Sequence, residues 1–137
     1  MSPAPHGEPE LSRLLADLAP RLLPERYVFC SLPRGVYGDG AELAPLAAFL
    51  EDEGLTLVVP ERRAREARIA YTSVFRCITL TVHSSLNGVG LTAAVATKLA
   101  QRGISVNVIA AVYHDHLFVP ADQAERAVAA LAEVSAV

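Results

Sequence analysis

The chain reads as an α+β protein whose second half follows the β-α-β-β-α order of a ferredoxin-like motif. Three observations predict this. Residues 75–82 alternate, with Ile78, Leu80 and Val82 on one face and Cys77, Thr79 and Thr81 on the other, the period of a strand. Residues 104–113 alternate again, Ile104, Val106, Val108, Ala110 and Val112 against Ser105, Asn107, Ile109, Ala111 and Tyr113. Between them lies a helical stretch ending at Arg102, where Gly103 is suited to the left-handed turn that closes a helix. His114-Asp115 is then expected as a hairpin tip and His116–Val119 as a third strand. Pro120 opens a last helix, with Ala124, Ala127, Val128 and Leu131 at helical spacing.

The first half is read in the same way. Residues 1–9 form a Pro-rich tail. Leu11, Leu14, Leu15, Leu18 and Leu22 have helical spacing, interrupted at Pro20, so a helix is expected to end near Ala19. Tyr27–Leu32 is a short strand, and residues 33–40 are a loop with Gly35, Gly38 and Gly40. Ala41–Glu53 is expected as a helix ended by Gly54, Leu55–Val59 as a buried strand and Glu61–Ala70 as a surface helix. A weak internal repeat pairs Leu50–Val59 with Leu99–Val108, each read as helix end, glycine, strand. The second half lacks an obvious final strand, and an open sheet edge must be covered. The two halves are therefore expected to share sheet or core.

Composition bounds the function. The 137-residue chain is 52% hydrophobic and 20% charged, which describes a packed domain, or two small halves sharing a core. A net charge of −3 gives no general attraction to nucleic acid. Residues 1–70 carry eight Arg/Lys and eleven Asp/Glu, residues 71–137 four of each, so the second half is the more apolar. Its apolar excess fits either buried sheet faces or a partner subunit. The start has neither the basic nor the apolar segment of a secretory signal, and no stretch approaches the roughly 20 apolar residues of a membrane span. Cys30 and Cys77 are isolated strand cysteines, read as buried reduced thiols, and a cytoplasmic location is expected.

The candidate site is the turn from His83 to Gly90. A strand-to-helix turn directs free N–H groups outward, and the helix dipole favours an anion there. Ser84, Ser85 and Asn87 add short polar groups, and Gly88 and Gly90 allow close approach to the backbone. A carboxylate, such as that of an amino acid, suits this geometry. The same residues have a second reading: Ser and Asn cap the helix, and the glycines allow tight packing. The loop Gly35–Gly40 does not repeat this turn and lacks the order of a phosphate-binding loop. His114, Asp115 and His116 suggest a metal, yet a closed zinc site needs a fourth ligand, with only His83 and His6 left as histidines. No metal or other cofactor is therefore expected. Ser84 or Ser85 with His83 and Asp115 would make a triad on paper, without a nucleophile elbow.

The stretches VHSSLNGVGLTAAVATKLAQRGISVNVIA and YHDHLFVP resemble an ACT domain, most strongly at Phe75–Gly90, Gly103–Ala110 and His114–Pro120. More narrowly the chain is similar to small bacterial proteins made of two ACT-like halves, here residues 10–70 and 71–137. That resemblance implies a non-enzymatic regulatory module that binds an amino acid or similar small carboxylate, commonly across an interface within a homodimer. It places ligand contacts at Ser84, Ser85, Leu86, Asn87, Gly88, Val89 and Gly90 and on the strand positions Asn107 and Ile109. The alternatives are an interaction module without ligand, or a small metal-dependent enzyme using His83, His114 and His116.

Overall fold

A computed structural model describes residues 8–82 and 90–135. Its elements in chain order are α1 (Glu8–Ala16), β1 (Pro20–Leu32), a 3₁₀ turn (Ala41–Leu43), β2 (Ala47–Glu51), β3 (Gly54–Pro60), α2 (Glu61–Glu66), β4 (Phe75–Leu80), α3 (Leu91–Gln101), β5 (Asn107–Ala110), β6 (Asp115–Pro120), a second 3₁₀ turn (Ala121–Gln123) and α4 (Ala124–Ser135). The fold is α+β, and the order β4-α3-β5-β6-α4 is the one the alternation predicts. The chain forms two compact units. One comprises the residues up to Leu23 together with those from Cys77 onward; the other is Pro24–Arg76.

In the first of these units the hydrogen-bonded order is the start of β1, then β4, β6 and β5. The missing final strand is thus supplied by Pro20–Leu23. Thr81 donates from its amide (3.4 Å) and from its hydroxyl (2.8 Å) to the carbonyl of Ala19, at the head of this pairing. The sequence obscures the strand because Pro20 and Pro24 look like breakers. Ala19 turns its carbonyl to β4, so the residues of even number turn their backbone groups the other way. On that side the register with β3 begins only at Tyr27. Both prolines therefore stand where no partner needs the missing N–H, the position in which strands tolerate proline. The reading of Tyr27–Leu32 as the whole strand is corrected accordingly: β1 is 13 residues long.

Helices α1, α3 and α4 pack together on one face of this sheet. Leu91, Val95 and Leu99 of α3, Leu131 and Ala127 of α4, and Leu18 before β1 meet Ile78, Leu80, Leu117 and Val119 of the sheet in one buried cluster. Gly103 has φ 71°, and the Ile104 amide returns to the Leu99 carbonyl at 2.9 Å. That cap draws Ile104 into the core, so β5 begins at Asn107, later than its alternation suggests. Ala111 N–H bonds the His114 carbonyl at 3.0 Å, which moves the hairpin tip to Val112-Tyr113; His114-Asp115 already belongs to the returning side.

The second unit has the order β2-β3-β1. β1 and β3 pair from Tyr27↔Pro60 to Leu32↔Leu55, and β2 and β3 from Ala47↔Val58 to Glu51↔Gly54. The helix expected over Ala41–Glu53 does not form. Pro45 would remove a helical hydrogen bond and clash one turn back, and Ala44 turns left-handed instead (φ 54°). Only the 3₁₀ turn remains, and 47–51 becomes an outer strand. Tyr37 from the glycine loop guards that strand, its hydroxyl accepting from the Leu50 amide at 3.1 Å. The internal repeat therefore aligns unlike structures: Gly103 closes a helix, whereas Gly54 lies in the β2–β3 hairpin. Val28, Cys30, Leu43, Leu55, Leu57, Val59 and Ala64 form this unit's core, with α2 ending at Glu66.

Leu18 lies outside every helix and strand, yet it is fully buried. Leu18→Ala is expected to lower stability by about 2–5 kcal/mol, measured by urea unfolding. A loss below about 0.5 kcal/mol would mean that the segment before β1 is not packed as described.

Candidate functional site

The first unit's sheet has a face turned away from the helices. Ile78, Leu80, Val108, Leu117 and Val119 point into the helical core. By the strand period Cys77 and Thr79 of β4, His116 and Phe118 of β6, and Asn107 and Ile109 of β5 share the opposite face. The β5–β6 register sets Asn107 against Phe118 and Ile109 against His116. Thr79 Oγ1 and His116 Nδ1 are hydrogen-bonded at 2.9 Å. Cys77, Thr79 and Phe118 are buried, His116 and Ile109 are half-buried and Asn107 is exposed, so the face opens from β4 towards β5.

This arrangement places an imidazole and a carboxamide beside an apolar side chain on a partly dry sheet surface. Burial lowers the pKa of His116, and the neighbouring His114 lowers it further; Asp115 opposes both. The two imidazole rings meet edge to face, with centroids 6.4 Å apart. A neutral His116 held through Nδ1 keeps Nε2 for another partner. Cys77 lies 4.0 Å from the Thr79 hydroxyl, and burial pushes its thiol up to about 11. Cys30 is also raised by burial. Neither is an activated nucleophile.

The positions expected to bind ligand divide as follows. Ser84, Ser85, Leu86, Asn87, Gly88 and Val89 lie outside the described residues, as do His83 and His6. Asn107 and Ile109 share the face just described. Gly90 heads α3 with φ 102°, and a Cβ placed there would come within 3.0 Å of Leu11 Cδ2. The positive φ favours glycine at this position, and a Cβ would also crowd the Leu11 side chain of α1. Sequence reasoning missed Thr79 and did not pair His116 with it. The alternation of β4 put Thr79 on the correct face, but its pairing with His116 depends on β4 and β6 being neighbours. Among the described residues no group of three His, Cys, Asp or Glu side chains is placed to hold a metal ion, and no helix is long and apolar enough to cross a membrane.

Comparison with known proteins adds to this geometry. Two family models match, each described as an ACT domain, over residues 6–76 and 72–133. A crystal structure from Vibrio cholerae, of a protein of unknown function described as a possible transport protein, is 48% identical with a TM-score of 0.84; the match covers 92% of this chain and 96% of that one. An Agrobacterium tumefaciens protein is 19% identical with a TM-score of 0.67, covering 85% of this chain and 87% of that one. The ligand-free regulatory subunit of aspartate kinase from Thermus thermophilus is 12% identical with a TM-score of 0.62, covering 86% and 97% respectively. The last two show a shared fold. Curated protein sequences returned no match.

Two outcomes are expected. His116 takes up its proton less readily in the folded chain than in the unfolded one, whose histidine pKa is about 6.5. Its contribution to stability is thus present above that value and is lost as pH falls through the lower folded pKa. Wild type should lose more stability than His116→Gln between about pH 7 and 5 in parallel denaturant titrations; parallel curves would contradict this. Cys30 and Cys77 should resist a thiol reagent in the native state and react fully in denaturant.

Proposed function

The chain belongs to the ACT domain family, with two such domains in tandem, and on that premise we propose that it is a non-enzymatic sensor of a small carboxylate metabolite, specifically an amino acid. The observation that carries this reading is the open face of the first unit, where Asn107 and His116 flank Ile109. With the Thr79 hydroxyl donating to Nδ1, His116 presents Nε2–H as a donor. That N–H and the Asn107 carboxamide suit a carboxylate, and Ile109 suits an apolar side chain.

Ser84, Ser85, Leu86, Asn87, Gly88, Val89 and Gly90, which precede α3 in the sequence, are proposed to belong to the same site, with the start of α3 as its anion end. The likeness of the fold to an aspartate kinase regulatory subunit supports a regulatory role. The proposal places the protein in the cytoplasm as a homodimer, whose assembly responds to the bound ligand by mass action.

A thermal-shift screen of the full chain against the twenty amino acids tests this. At a hundredfold excess over Kd a ligand specific for the folded state adds about 2.7 kcal/mol, a shift of several degrees in Tm. Asn107→Ala alters an exposed side chain, so it should leave the unliganded stability within about 0.5 kcal/mol of wild type and abolish the shift. No stabilisation by any amino acid at millimolar concentration would overturn the proposal, and would favour an interaction module without ligand.

A further inference from the structure

The second unit carries a groove of about 480 Å³ that the reading above does not use. Its lining joins part of the sheet face turned away from that unit's core to Cys30 and to residues 70–72. Val28, Cys30, Leu55, Leu57 and Val59 are committed to the core, so Phe29, Ser31 and Thr56 present their side chains on the other side. Ser31 and Thr56 are direct cross-strand partners. Glu51, at the end of β2, closes one side, and its Oε1 accepts the Thr56 hydroxyl. The loop carrying Tyr71 and Thr72 closes the other side. Tyr71 is anchored there by donating its hydroxyl to Glu61 Oε2 at 3.1 Å, and Glu61 is itself held by Arg26 at 3.2 Å.

The chemistry of the lining is one-sided. Among the described residues Glu51 is the single ionised side chain lining the groove. It begins the acidic run Glu51-Asp52-Glu53 at the hairpin tip, which adds negative potential. Arg26 is paired with Glu61 and Arg62 with Glu25. Glu51 Oε2 has no hydrogen bond among the described residues. Thr56 bonds Glu51 and faces Ser31, and Phe29 stands two residues from Ser31 on the same face, roughly 7 Å along the strand, so a ligand reaching from Glu51 towards the Phe29 ring needs a short apolar stem. The volume falls in the range of small-molecule sites.

We propose that this groove is a second ligand site, which takes a small organic cation: a primary ammonium on Glu51, with an apolar stem lying against Phe29 and Tyr71. Ser31 and Thr56 accept the remaining N–H groups of the ammonium. This site shares no residue with the carboxylate site proposed above, so either can fail without the other.

The test is a two-dimensional amide NMR titration of the full chain with n-butylammonium, with butyrate and n-butanol as charge controls. The proposal expects a saturable change at Ser31, Thr56 and Thr72 with the ammonium alone, weakened about tenfold or more in Glu51→Gln, as loss of a charge-assisted bond requires. Glutamine keeps an acceptor for Thr56, so the fold should persist. If the variant fails to fold, the controls decide the matter, because butanol binding as tightly as the ammonium removes the role of charge. No saturable change at those amides up to about 50 mM, a Kd too weak to define a site, overturns the proposal, as does equal affinity in Glu51→Gln.

Discussion

The pairing of the start of β1 with β4 is the constraint on which the first unit depends. β4 needs a neighbour on the side away from β6, and an unpaired strand edge leaves a row of open N–H and C=O groups. Residues 91–135 cannot supply that neighbour, because β5 and β6 lie on the other side and α4 continues to Ser135. Pro20–Leu23 supplies it, and Ala19 fastens it by accepting two hydrogen bonds from Thr81. The same segment brings Leu18 into the core and sets α1 against α3 and α4. Leu11 of α1 then reaches Gly90 at the head of α3, so the N-terminal residues help to shape the helix start on which the proposed sensor relies.

Periodicity made residues 75–135 readable, because buried strands and helices repeat at 2 and 3.6 residues and both patterns are clean here. Elsewhere the local signals competed with tertiary structure. Proline usually ends a strand, but at Pro20 and Pro24 the parity of the edge makes it harmless. Leu43, Leu46, Ala47 and Leu50 have helical spacing, but Pro45 excludes the helix: Leu43 falls in a turn, Ala47 and Leu50 in an outer strand, and Leu46 between the two. The hairpin tip at Val112-Tyr113 carries no Gly, Pro, Asn or Asp, so no turn chemistry marked it. For the candidate site, the shared face of Asn107 and Ile109 followed from the strand period. The Thr79–His116 pair depends on β4 lying beside β6, which no local pattern encodes.

The two ACT domains are unequal in the element that matters most. Between its first and second strands the C-terminal domain has an 11-residue helix opening at Gly90. The N-terminal domain has a glycine loop and a three-residue 3₁₀ turn at that point. A helix start can favour an anion, and a single short turn cannot. The proposed carboxylate site is therefore placed in the C-terminal domain, whereas the groove on the N-terminal domain, with Glu51 its only charge among the described residues, has the opposite polarity.

Native-state hydrogen exchange on the intact chain tests the shared-strand account most directly. It predicts that amides of β4 facing β1, and those of Arg21 and Leu23 facing β4, open with the same free energy as the buried turns of α3 and α4, as members of one cooperative unit. Rapid exchange at Arg21 and Leu23 while α3 and α4 remain protected would contradict it, since the sheet would then stand without the strand assigned to complete it.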